Sequence, residues 1–261
     1  MKRKFAALLC GLIASFGSSA GSSQDLHPGI IGEDDRIPVE QQGSPWNAVG
    51  QVNIAGYRMI GRCTGTLVAP NLVITAAHCI MDPWKKAPNP LRNIHFLAGV
   101  RGSKNKGHST AKCLRFPKNY EFVGPERIRP SMPAQEVPLK AFDKDVVVIV
   151  LQDKLSVEPV PLAMGVSPRP GLRLVHAAYP GDRRFVLTAH FNCHLLRADL
   201  AGPIWFNDCD THPASSGGPV FAEVNGQLKL AAIMLGMGGR ISNMALPISD
   251  WIELVQDNSC P

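Results

Sequence analysis

No two cysteines of this chain stand two residues apart, and no histidine opens a His-Glu-x-x-His run, so the commonest local signatures of redox and metal chemistry are missing. No metal and no cofactor is therefore expected. Basic residues interleaved with aromatics are also lacking; the nearest candidate, 101–106, reads as a solvated loop, and nucleic acid is not an expected partner. The apolar stretch at 5–16 is too short to cross a bilayer. Repeats and low-complexity tracts are not evident. What the chain has in quantity is turn formers, 24 Gly and 22 Pro in 261 residues, beside 45% hydrophobic residues. That balance favours short strands over helices, around one large core or two modest ones.

Lys2, Arg3 and Lys4 precede the apolar stretch and Ser18-Ser19-Ala20 follows it, the layout of a secretory signal over residues 1–20. Its removal takes away Cys10, three basic residues and no acidic one, which lowers the formal charge from +6 to +3. The exported chain is expected to be secreted or periplasmic, monomeric, and without membrane contact. Six cysteines remain, an even number, which in an oxidising compartment favours disulfides. Cys63 and Cys79 enclose a loop for which the chain-entropy model gives about 3 kcal/mol. Cys193 with Cys209 is the next natural pair, and Cys113 and Cys260 remain by elimination.

After a polar stretch at 21–42, residues 46–54 alternate apolar and polar as a half-buried strand should. Further strand-like runs follow at 65–68, 72–75, 94–98 and 146–151. The segment 100–144, rich in Lys, Pro and Gly, predicts surface loops around a strand or two. A second set of strands is expected at 173–178, 185–196, 204–206, 218–223 and 228–235. At the end, Ser249 is placed to cap a short helix, Asp250 suits its first turn, and Trp251, Leu254 and Val255 share one face, expected to pack on the second half.

Chemistry-bearing residues stand in both halves. His78, in Thr75-Ala76-Ala77-His78-Cys79, follows the apolar run Leu72-Val73-Ile74, which sets an imidazole at a strand end. Ser216 precedes Gly217 and Gly218, whose missing side chains let a substrate backbone come close. A serine hydroxyl is a poor nucleophile until a histidine takes its proton, so the pair is the minimum for covalent acyl transfer. A carboxylate must hold that imidazole in the right tautomer. Asp145, just before the apolar strand 146–151, is favoured for this, with Asp143 as its competitor.

The order His78, Asp145, Ser216, the strand Cys63-Thr64-Gly65-Thr66-Leu67-Val68 and the run Ser216-Gly217-Gly218-Pro219 resemble the chymotrypsin/trypsin-like serine peptidases over roughly 36–256. Asp34-Asp35-Arg36, Tyr179-Pro180-Gly181-Asp182-Arg183 and Cys209-Asp210-Thr211 look more like the bacterial, glutamyl-endopeptidase-related branch than the animal digestive enzymes. The resemblance implies an all-β fold of two six-stranded antiparallel β-barrels with a short C-terminal helix. The first barrel falls within 21–157 and carries His78 and Asp145; the second, with the helix, occupies 158–261 and carries Ser216. It implies a secreted serine endopeptidase acting on protein or peptide through an acyl-enzyme, with the backbone N–H groups of Ala214 and Ser216 as the oxyanion hole.

Two positions depart from the family pattern. Ser215 stands where animal members carry the aspartate that captures a new N-terminal amine, so that ion pair is not available. Ala214 stands where the family has glycine, and a positive φ there would cost an alanine about 1 kcal/mol or more. Both departures motivate the alternative of a catalytically weak or inactive binding protein on the same scaffold. For the specificity pocket, Asp210 has two readings, a pocket base favouring Lys or Arg, or a turn cap beside Cys209. Met234 replaces the histidine of glutamyl-specific relatives, which counts against glutamate preference; Met237, Gly238, Gly239 and Asn243 read either as pocket walls or as ordinary strand and turn residues, and Met234 and Asn243 join Asp210 as pocket candidates. His108, His176, His190 and His194 read as surface or sheet residues; His212 reads either as a loop residue or as part of the cleft lining.

Overall fold

The computed structural model describes residues 29–55, 61–122, 142–198, 203–237, 241–257 and 259–260. The expected signal at 1–20 lies outside the described residues, as do Gly238 and Gly239. The strands are β1 (Ile37–Pro38), β2 (Val49–Ile54), β3 (Gly61–Ala69), β4 (Leu72–Thr75), a small hairpin of β5 (Met81–Asp82) and β6 (Ala87–Pro88), β7 (Ile94–Ala98), β8 (Gly107–Arg115) and β9 (Val147–Leu151). The second half holds β10 (Arg173–Ala178), β11 (Thr188–Ala198), β12 (Trp205–Asn207), β13 (Pro219–Val224), β14 (Gln227–Met237) and β15 (Asn243–Pro247).

Six strands close the first barrel in the order β2-β3-β4-β9-β8-β7, with β7 pairing back to β2. Closure removes the open edges that a flat sheet of Val, Ile and Leu would expose. The second barrel runs β11-β10-β13-β14-β15-β12, closed by β12 on β11, and β1 adds to the outer side of β11. Every pairing within the two barrels is antiparallel. The fold is therefore the all-β pair of six-stranded barrels expected from the sequence. Strand β15, which completes the second barrel, is not among the sequence expectations: its run Asn-Met-Ala-Leu-Pro is short and ends on a proline.

The described segments at 29–36 and 251–260 each reach the opposite barrel. The segment from Gly29, grouped by sequence with the first unit, runs along the second barrel into β1. The C-terminal segment packs on the second half at 248–250, against β14, as expected, and then reaches the first: Cys260 is bonded to Cys113 in β8, and the Arg115 guanidinium donates to the carbonyls of Leu254, Asp257 and Ser259. This segment covers β9, whose five residues are all buried. In place of one α-helix it forms two 3-10 turns, Ile248–Asp250 and Ile252–Val255. Ser249 does not cap them, because its hydroxyl donates to Asp250 at 2.7 Å. Trp251 and Leu254 are buried, as their spacing predicts. The connection between the barrels follows the first as far as Val160, whose N–H donates to Leu67 O at 2.9 Å, and meets the second at Leu162, which bridges to Leu230 in β14.

Candidate active site

Thr75 ends β4, and the chain turns almost at once through a 3-10 turn, Ala77–Cys79, with His78 at its centre. The Cys63–Cys79 disulfide ties that turn to β3. Val147 pairs with Thr75, so sheet register alone brings Asp145, two residues earlier, beside His78. Its carboxylate, 5% exposed, holds the histidine twice: Oδ1 accepts the His78 backbone N–H at 2.8 Å, and Oδ2 lies 2.6 Å from Nδ1. A carboxylate can only accept, so Nδ1 carries the proton and Nε2 keeps its lone pair. Burial alone would lower the His78 pKa; the Asp145 charge and hydrogen bond outweigh it, and the pKa stands above the ordinary 6.5. Asp143 is half-buried, and its charge bears on Asp250.

Ser216 is brought to the same place by its glycines. Gly217 has φ +77°, and a Cβ there would lie 2.0 Å from Thr75 Oγ1 and 2.4 Å from Thr64 O. Only glycine lets this turn of the second barrel press against β3 and β4 of the first. Across that contact the Thr64 N–H donates to Ser216 O at 3.0 Å. Ser216 and His78 line one cavity of about 530 Å³. The Ser216 hydroxyl donates to Leu235 O at 3.0 Å, and no hydrogen bond joins it to His78.

Upstream of the serine, the Ser215 N–H donates to His212 O at 2.9 Å, Pro213 takes the second position and Ala214 has φ +78°, the pattern of a type II turn. Alanine in that region costs about 1–2 kcal/mol, so the strain foreseen from the sequence is present. The N–H groups of Ser215, Gly217 and Gly218 all meet acceptors, whereas those of Ala214 and Ser216 meet none among the described residues. Two unpaired donors thus flank the serine at the cavity wall.

A family model described as trypsin-like peptidase domain matches residues 63–229. The chain belongs to that family. Serine protease 23 of Macaca mulatta is 30% identical over 226 residues, covering 79% of this chain and 57% of that protein. The CLIP domain-containing serine protease B15 of Anopheles gambiae is 33% identical over 87 residues, covering 33% of this chain and 23% of the mosquito protein. The chain spans about half the length or less of the curated relatives it matches. Among solved structures, a Glu endopeptidase in complex with MPD superposes with a TM-score of 0.68 at 19% identity, over 87% of this chain and 97% of that one. The thermostable serine protease AL20 gives 0.54, also at 19% identity, over 77% and 90%. At such identities the likeness is one of fold.

Of the residues expected at the specificity pocket, Met237 lines the cavity, whereas Asp210, Asn243 and Met234 stand elsewhere. Asp210, fully buried, accepts the N–H groups of Ile31 and Asp35, each at 2.8 Å, and its own N–H donates to His190 Nδ1 at 3.1 Å. It fastens the N-terminal segment and does not line the cavity, a role that neither the pocket-base nor the local turn-cap reading of the sequence described. Asn243 is likewise buried, its amide donating to Gly29 O and Cys209 O, each at 2.8 Å. Met234 is buried in the hydrophobic cluster that holds Cys193, Cys209 and Ala245. The cavity wall on this side consists of Pro213, Leu235, Gly236, Met237 and Met244. Apart from Arg62 and the His78–Asp145 pair, the described lining residues carry no charge.

His212 opens the turn rather than lining the cavity, with Nδ1 3.5 Å from Asp182. His176 is a buried sheet residue whose Nδ1–H donates to Pro219 O at 3.0 Å. The sulfurs that approach His78 and Asp208 are all in disulfides, so they are not thiolate ligands for a metal. Sequence reasoning passed over Met244, because β15 was not foreseen, and Thr64, which reads as an ordinary strand residue.

Proposed function

We propose that this chain is a secreted serine endopeptidase that cuts protein or peptide substrates through a Ser216-His78-Asp145 triad. The observation that carries the reading is the double hold of Asp145 on His78 at 2.8 and 2.6 Å, which leaves Nε2 as a base in the cavity that Ser216 also lines. For the reaction the Ser216 hydroxyl must leave Leu235 O and turn to Nε2 across the cavity that both residues line. Oγ then attacks the scissile carbonyl as Nε2 takes its proton, and the oxyanion sits between the N–H groups of Ala214 and Ser216. The imidazolium, stabilised by Asp145, returns the proton to the leaving amine as the C–N bond breaks. Water, deprotonated by His78, releases the acyl group and restores Ser216.

The uncharged wall of Pro213, Leu235, Met237 and Met244 supports an apolar residue before the scissile bond. Thioether and aliphatic walls gain by burying apolar surface and offer no partner for a carboxylate or an ammonium. Export follows from the signal-like residues 1–20 and agrees with three disulfides. The boundary between the two units at 157 and 158 belongs to the same proposal, with the connection bonded to the first barrel as far as Val160.

A fluorophosphonate probe should label the parent on Ser216 and leave Ser216→Ala unlabelled. A peptide library should be cut after aliphatic or aromatic residues. Folded parent that neither takes the probe nor cuts any peptide overturns the proposal. That result would favour the binding-protein alternative, to which the Ser216 bond to Leu235 O lends its support.

A further inference from the structure

Two sequence motifs are not used by the chemistry above, Asp34-Asp35-Arg36 and Gly181-Asp182-Arg183, and in the folded chain they hold each other. Arg36, 6% exposed, donates to both carboxylate oxygens of Asp182, at 3.2 and 2.8 Å, and to both of Asp34, at 2.8 and 2.9 Å. Arg183 adds donations to Arg36 O at 2.6 Å and to Asp34 at 2.8 Å. A guanidinium fork closed on two carboxylates is a rigid arrangement, and it fixes the 3-10 turn Gly181–Arg183.

That turn meets the site at two points, one of them the Asp182 carboxylate, 3.5 Å from His212 Nδ1. At the other, the Gly181 N–H donates to Pro213 O at 2.7 Å. In a trans peptide the C=O and N–H point in opposite directions, so a Pro213 carbonyl held by Gly181 aims the Ala214 N–H away from Gly181. Thr64 Oγ1 donates to Ala214 O at 3.1 Å and steadies the next peptide. Alanine at φ +78° is strained, and rotating the Pro213–Ala214 peptide into a type I turn would return Ala214 to negative φ. The same rotation would withdraw the Ala214 N–H from the oxyanion. Strain therefore works against the donor, and the Gly181 contact opposes it.

We propose that the Arg36–Asp182 clamp positions the oxyanion hole, with Arg36 and Asp182 as positioning residues that hold the Ala214 N–H in its working orientation. This rests on the peptidase reading. An N-terminal segment already present in the chain thereby does what the missing aspartate at Ser215 cannot do. The clamp acts through peptide orientation, so its loss falls on the transition state and spares ground-state binding.

The test is steady-state kinetics on a peptide substrate with parent, Arg36→Met and Asp182→Asn, each alone and combined with Ala214→Gly, together with affinity for a peptide boronate. Breaking the clamp should lower kcat by roughly 10- to 1,000-fold, up to the loss of one oxyanion donor, with KM changed by less than about threefold. Boronate affinity should fall in parallel. Ala214→Gly, which removes the strain, should restore most of kcat in the broken-clamp background, a recovery that a purely structural role would not produce. Asp182→Asn keeps Arg36 paired with Asp34 and serves if Arg36→Met does not fold. Unchanged kcat in a folded clamp variant, or a loss that Ala214→Gly does not recover, overturns the proposal. A parent inert toward every substrate counts against the peptidase reading alone. A crystal structure of the clamp variant then decides: Pro213 O still on the Gly181 N–H refutes the clamp, and a rotated peptide supports it.

Discussion

Replacing Asp145 by asparagine tests the proposed triad at its most defined contact. The carboxylate accepts twice, from the His78 backbone N–H at 2.8 Å and from Nδ1–H at 2.6 Å. An amide has one accepting oxygen and one donating nitrogen. If the oxygen stays on the backbone N–H, the NH₂ faces Nδ1 and can bond only to its lone pair, which moves the ring proton to Nε2. Nε2 then cannot take the Ser216 proton. A tautomer reversal of this kind costs ~10⁴ in kcat, about 5 kcal/mol of barrier. The fold should survive, because the amide is the same size and both contacts persist. The pH profile should shift as well. In the parent, burial lowers the His78 pKa but the Asp145 charge more than reverses this, so the acid limb of kcat/KM should lie above 6.5. In Asp145→Asn only burial remains, and the limb should move to lower pH. Measuring kcat/KM from pH 5 to 9 on enzyme checked by circular dichroism reads both effects. A folded variant within about tenfold of the parent would refute the tautomer argument and Asp145 as the orienting group.

Three further outcomes follow from other contacts. Burial holds the His176 pKa down to about 4, against the pull of its bond to Pro219 O. The unfolded chain binds that proton near 6.5, so the contribution is complete above pH 6.5 and drains as pH falls toward 4, by about 3 kcal/mol in all. Urea melts of parent and His176→Gln should show the parent alone losing this increment, and parallel pH curves would refute it. Ala214→Gly relieves about 1–2 kcal/mol of strain but adds about 0.4–1 kcal/mol of unfolded-chain entropy, so thermal melts should show a gain of ~0.5 kcal/mol; clear destabilisation would contradict the strain at φ +78°. Replacing Cys113 and Cys260 by serine opens a loop of sequence separation 147 and should cost about 4–5 kcal/mol in denaturant melts, with proteolysis starting at the C-terminal segment. Unchanged stability would mean that the segment holds to β8 without its staple.

Motifs whose meaning is local could be read without coordinates. The run Leu72-Val73-Ile74 before His78, the run 146–151 after Asp145 and the paired glycines after Ser216 announce strand ends and a tight turn in their own few residues. Those three side chains do approach one cavity or its wall. The short loops Cys63–Cys79 and Cys193–Cys209 named two pairs and left Cys113 with Cys260 by elimination, the three disulfides that the folded chain contains. Side-chain direction was a different matter. Asp210 had two readings of equal merit, because nothing within its neighbours says whether its carboxylate faces a pocket or a turn. Its partners, the N–H groups of Ile31 and Asp35, lie 179 and 175 residues away.

Strand ends and the glycine turn were thus determined by the sequence itself, through apolar periodicity and backbone freedom, both of which act over short stretches; the even cysteine count announced disulfides but not their partners. Tertiary structure alone decided that Met244 rather than Asp210 lines the pocket, that the segment from Gly29 runs along the second barrel while Cys260 is bonded to the first, and that Arg36 reaches Asp182. The physical reason is that a charged side chain buried in a fold goes where donors or opposite charges are held for it. Those groups come from remote segments whose positions exist only once both barrels have closed.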